Sequence, residues 1–147
     1  MALIADDAKD RAEQLLLVSE RLAALIDLET QRIEARQPPL DGAEAEEKAR
    51  LANAYRLELA RIKQDRSLIE GAPPALLAQL RQSTVALHEK LAAHETALNA
   101  VKVVTEGLVH AMAEEVARQR VGDAQYGAGG ERVAPHGLGA TVLDQTA

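Results

Sequence analysis

The sequence predicts an all-α protein: three long antiparallel helices in an elongated bundle or coiled coil, with a disordered C-terminal tail. Three observations carry this. Ala (29) and Leu (21) make up about a third of the 147 residues, with Glu, Arg, Lys and Gln filling much of the rest, the composition of long paired helices. Aromatics are nearly absent, with two Tyr and neither Phe nor Trp, which argues against a sheet core. Finally, apolar residues recur at alternating steps of three and four over more than thirty positions near the end of the chain.

The first helix is expected from about Ala5 to Arg36, with a stripe of Leu15, Val18, Leu22, Leu25 and Glu29, and Ile26 and Ile33 beside it. Pro38-Pro39 stops it, because proline lacks the N–H donor and clashes with the preceding turn. The second is expected from Asp41 to Ile69, carrying Leu51, Tyr55, Leu59, Ile62 and Ile69. Asp41 and Glu44 have the spacing of a capping box. Gly71 suits a left-handed helix end, and Pro73-Pro74 suit the first turn of the next helix. The third is expected from Pro74 to Arg120. Its seam reads Leu77, Leu80, Thr84, Leu87, Leu91, His94, Leu98, Val101, Thr105, Leu108, Met112, a heptad pattern. At 1.5 Å per residue it would run about 70 Å, so one end should project beyond its partners or pair with something else. Six of the nine glycines lie at or after Gly122. Two regions follow: a three-helix domain, 1–120, and a flexible Gly-rich tail, 121–147.

Several function classes are disfavoured. Without cysteine there is no disulfide, thiolate nucleophile or thiolate-bound metal. A net charge of -6 with scattered basic residues gives phosphate no concentrated basic face, so no nucleic-acid partner is expected. MALIADDAKD lacks a basic region before an apolar run, so no secretory signal is expected. No apolar stretch is long enough for membrane insertion, and a cytoplasmic location is the expectation. His88 and His94 are six apart, where a helical zinc-protease pair needs four. The residues three before His88, His94 and His110 are Val85, Leu91 and Gly107, not the glutamates of a di-iron bundle. His94 in the seam reads as a register-setting polar residue, and His110, between Glu106 and Glu114, as part of a surface ion pair. No catalytic residues, metal or cofactor are expected, and the protein is not expected to be an enzyme.

What the sequence offers is a surface. From Thr96 to Ala113 only Lys102 and Glu106 carry formal charge. Val103, Val104 and Val109 widen the stripe beyond one seam, and a helix apolar around most of its circumference wants burial on more than one side. The candidate protein-binding residues are Leu98, Val101, Val104, Leu108, Met112 and Val116. Gly107 interrupts them, at a mid-helix cost of about 1 kcal/mol relative to Ala. Tyr126, in GDAQYGAGG, combines an apolar ring with a hydroxyl in a glycine-rich segment and reads as a short docking motif. The alternative is a structural or regulatory coiled coil whose third helix serves homodimerisation.

LLLVSERLAALIDLETQRIEAR, then AEEKARLANAYRLELARI, then NAVKVVTEGLVHAMAEEVARQ followed by YGAGG, together resemble the FlgN family of flagellar type III export chaperones over about residues 10–130. The resemblance implies a cytoplasmic chaperone for the hook–filament junction proteins. It would bind their terminal helices through the C-terminal part of the molecule and deliver them to the export gate. It also implies that Tyr126 docks on the gate's cytoplasmic domain. One departure is that the family often carries paired Asn in the third helix, where this chain has Asn99 alone.

Overall fold

A computed structural model describes residues 3–125. The described residues are helical, with no strand among them: α1 (Ala8–Glu34), α2 (Gly42–Gln64), a single turn α3 (Ser67–Glu70) and α4 (Pro74–Gln125). The chain divides into two units, Met1–Val101 and Lys102–Ala147, so that α4 contributes to both. The expected tail, 121–147, lies outside the described residues from 126 onward, and so does Tyr126.

The first unit is a three-helix bundle. Arg11 bonds Glu58, and Arg21 reaches Glu47 through two 2.8 Å bonds, so α1 and α2 are antiparallel. Ser19 meets Ser83, Asp27 meets Lys90 and Thr30 meets His94, so α1 and the first half of α4 run parallel, as an up-down-up bundle requires. Leu15, Leu22, Ile26, Tyr55, Leu80 and Leu87 form the core, with Leu51, Leu59, Ile62 and Ile69 half-buried against it. Leu87 is fully buried, and Leu15 and Leu25 are nearly so. The α1 seam passes through Ser19 and Thr30, where the sequence pattern suggested Val18 and Glu29. Val18 packs at its edge.

Local chemistry explains the boundaries. Asp7 caps α1 by accepting from the Asp10 N–H at 2.8 Å, and the Asp10 carboxylate accepts from the Asp6 N–H at 3.0 Å. A bond from the Gln14 side chain and then the one from the Asp6 N–H hold the Asp10 carboxyl below its ordinary range. At the other end the Gln37 N–H reaches the Arg32 carbonyl and the Arg36 N–H the Ile33 carbonyl, a Schellman ending. Its left-handed position is held by Arg36, at φ 57°.

Four expectations need correction. Asp41 precedes α2 but makes no side-chain capping bond. Gly71, at φ -75°, is right-handed, and a methyl group added there would meet the Ala8 Cβ at 3.4 Å, an ordinary contact. The second helix does not run unbroken to Ile69. Asp65 takes both the N–H and the hydroxyl of Ser67, a local bond that competes with the helical ladder, and α2 ends at Gln64. The third helix starts at Pro74 as expected but passes Arg120 to reach Gln125.

Candidate protein-binding surface

Within the bundle, the α4 seam follows its spacing except at Leu91, which is exposed. Leu80 and Leu87 are buried, and Leu77 and Thr84 half-buried. His94 forms a polar layer: its Nδ1 lies 3.2 Å from the Thr30 hydroxyl, and its Nε2 lies 3.8 Å from Glu29, which also bonds Lys48. Among the described residues, no three His, Asp or Glu side chains gather as a metal site.

Beyond His94 the pattern of burial changes. Ala97 is buried, but Leu98 and Val101, at the end of the first unit, are about half exposed. In the second unit Val104, Leu108, Met112 and Val116 are between 48 and 60% exposed. Val103, Val109 and Val121 are exposed as well. Val121 escaped the sequence reading because it lies past the glutamates at 114–115. All six candidates therefore lie on α4 and open to solvent, and none serves the core of the bundle.

The second unit's helix has two distinct sides. At about 100° per residue, Val104, Ala111 and Met112 lie within about 60° of Leu108. Lys102, Glu106, His110 and Glu114 lie more than about 100° away. Those four satisfy one another along the helix, Lys102 with Glu106 at 4.0 Å and His110 with Glu114 at 3.4 Å. Arg118 and Glu115 pair at 2.8 Å where the apolar side ends. The result is an uncharged strip of aliphatic side chains opposite a face that carries Lys102, Glu106, His110 and Glu114 together with the exposed Val103.

Gly107 adds to this. A Cβ built there meets nothing within 4 Å, so no packing among the described residues explains a residue that weakens a helix by about 1 kcal/mol relative to Ala. An approaching surface could reach the backbone closely there. The arrangement offers shape and apolar area and no reactive group. The carboxylates held below their ordinary range, Asp10 and Glu47, belong to a helix cap and to the ion pair with Arg21. Among the described residues no helix is long and apolar enough to cross a membrane.

No protein-family model matches the chain, and no solved structure matches it. A curated relative does: the flagellar basal-body protein FlbY of Caulobacter vibrioides is 44% identical over 131 residues, covering 88% of each chain. That similarity bears out a flagellar association and does not extend to an export chaperone. At this identity and coverage the chain belongs to the family of the flagellar basal-body protein FlbY.

Proposed function

We propose that the chain is a non-enzymatic helix-binding protein of flagellar assembly, acting in the cytoplasm as an export chaperone. It binds the terminal helices of hook–filament junction proteins, prevents their premature polymerisation and delivers them to the type III export gate. The observation that carries this reading is the uncharged strip at Val104, Leu108 and Met112, exposed on the side of the helix away from Lys102, Glu106 and Glu114. Such a strip is suited to helix-in-groove recognition, with anchors at i, i+4 and i+8. Val116 extends it. The cargo's helices would otherwise associate with one another, and the strip substitutes for that contact reversibly. Gly107 permits close approach, and Tyr126 serves as the separate handle for the gate.

The relative's description as a basal-body protein favours a second reading. In it, the same strip pairs two copies of the chain in a structural coiled coil. One experiment separates the two: a pull-down from a flagellated host with the full chain and with a version ending at Gln119, read by mass spectrometry alongside light scattering. Junction proteins on both baits, with the gate protein lost from the shorter one, support the chaperone. A dimer that retains neither supports the structural reading.

A further inference from the structure

His94 is the last polar layer between α1 and α4 before the bundle stops packing. Ala97 is still buried, while Leu98 is 48% exposed. Both nitrogens of the ring face oxygens of α1. Nδ1 lies 3.2 Å from the Thr30 hydroxyl, and Nε2 lies 3.8 Å from the Glu29 carboxylate. The Glu29 and His94 side chains are only 13 and 17% exposed, so salt and solvent screen this contact less than a surface pair.

A hydroxyl has one hydrogen to give. That of the buried Thr30 goes to the Ile26 carbonyl of its own helix, at 2.8 Å. Its oxygen is therefore an acceptor toward His94, and Nδ1 has to donate. A neutral ring with its hydrogen on Nδ1 turns a bare lone pair on Nε2 toward a carboxylate that can only accept. The other neutral tautomer serves Glu29 but turns a lone pair toward Thr30, whose hydroxyl must then leave Ile26. The imidazolium, with a donor on each nitrogen, serves both oxygens at once.

The neighbouring charges are largely committed elsewhere. From α1, Asp27 takes Lys90 of α4 at 2.8 Å and Gln31 at 3.0 Å. From α2, Lys48 bonds the same Glu29 oxygen that faces His94, and its charge opposes a second cation there. On α4 itself, Glu95 follows His94 and is exposed. With the ring charged, Glu29 lies between cations from two different helices and ties α1 to both.

We propose that His94 is a proton-operated clasp: the imidazolium closes α4 onto α1 through Thr30 and Glu29, and loss of the proton loosens this end of the bundle. Histidine is the side chain suited to this, since it changes charge between about pH 5 and 8. Opening frees Ala97 and uncovers more of Leu98. The clasp lies wholly within the first unit, and the inference does not rest on the function proposed above.

The test is ring-nitrogen NMR of the isotope-labelled full chain, with the His94 signals assigned by their loss in His94→Gln. At about pH 8, the neutral His94 should hold its hydrogen on Nδ1, whereas the exposed His88 and His110 should hold theirs mainly on Nε2. Protection of the amides from His94 to Leu98 against hydrogen exchange, corrected for the intrinsic effect of pH, should rise about threefold between about pH 8 and pH 5.5. Glu29→Gln should abolish that rise and keep the hydrogen on Nδ1. Thr30→Val should remove the Nδ1 preference. Lys48→Met removes the opposing cation and should keep the clasp closed to higher pH, an outcome that a merely structural His94 would not give. A ring with its hydrogen on Nε2 at alkaline pH, protection that does not change with pH, or a rise that persists in His94→Gln would overturn the proposal.

Discussion

Glu58 is fully buried on α2, and among the described residues its only close partner from another helix is Arg11 of α1, itself about nine-tenths buried. One Glu58 oxygen bonds Arg11; the other makes no hydrogen bond and lies 3.8 Å from the half-exposed Arg61. Desolvating two charges costs several kcal/mol per ion, and the attraction between them offsets this fully only when every polar atom is satisfied. Here one is not. Removing either partner strands the other, so Arg11→Met or Glu58→Leu alone should each cost about 3–5 kcal/mol. Replacing both removes the desolvation of both and leaves aliphatic side chains beside Leu15. The double variant should equal the parent or exceed it by about 1–4 kcal/mol. Urea denaturation followed by circular dichroism gives all four corners of the cycle, with m-values checked for constancy. Single variants that each lose less than about 1 kcal/mol would show that water reaches the pair. A double variant as unstable as the worse single would show that the pair is a net source of stability, and the reasoning would fail.

Other perturbations have simpler expected outcomes. Leu108→Asp, at a side chain 60% exposed, should change stability by no more than about 0.5 kcal/mol and abolish binding of junction-protein helices, read by circular dichroism and calorimetry. Arg36→Gly relieves a left-handed residue and should raise stability by about 0.5–1 kcal/mol after the greater freedom of glycine in the unfolded chain is included. Glu47 is held below its ordinary range, first by its hydrogen bonds from Arg21 and then by that residue's charge. A depressed carboxylate contributes stability that is present above its unfolded pKa and lost as pH falls through the folded one. Glu47→Gln should therefore flatten the acid side of the stability–pH curve, below about pH 4.3, in thermal melts.

The three long helices were legible because heptad spacing and proline punctuation are local signals. Leu15, Leu22, Leu80 and Leu87 occupy the core positions that their spacing assigns. The polar core was not legible. Ser19, Thr30 and Glu58 look like solvated residues in sequence, and only the facing Ser83, His94 and Arg11, 47 to 64 positions away, make their burial possible. The break at Asp65 was missed because an aspartate bond to Ser67 competes with a helix whose apolar pattern continues to Ile69. The apolar strip was visible as excess valine and leucine with too little charge. Its exposure depended on where the bundle stops packing, which no local pattern states.

The polar layers carry a consequence for how α1 and α4 choose their register. Both present mainly Leu, Ile and Ala to each other, and a slide by one heptad would keep most apolar contacts. It would not keep the polar ones. Ser19 with Ser83 and Thr30 with His94 share an offset of 64 positions, and Asp27 with Lys90 one of 63. Slid by seven, Ser19 would face Leu76 or Lys90 and lose Ser83, keeping only its bond to the Leu16 carbonyl, a loss of about 0.5–1.5 kcal/mol. Polar pairs at one offset thus select one register among several of similar apolar content. The chain has no cysteine, so engineered pairs report contact without background. Ser19→Cys with Ser83→Cys should crosslink almost completely under mild oxidation, since the native oxygens lie 2.6 Å apart. Ser19→Cys with Leu76→Cys, or with Lys90→Cys, should remain reduced. Replacing Thr30 and His94 with Leu should let those off-register pairs begin to crosslink while helicity is retained. If the off-register pairs stay reduced in that background, packing of the large side chains alone sets the register, and the polar layers are tolerated without selecting it.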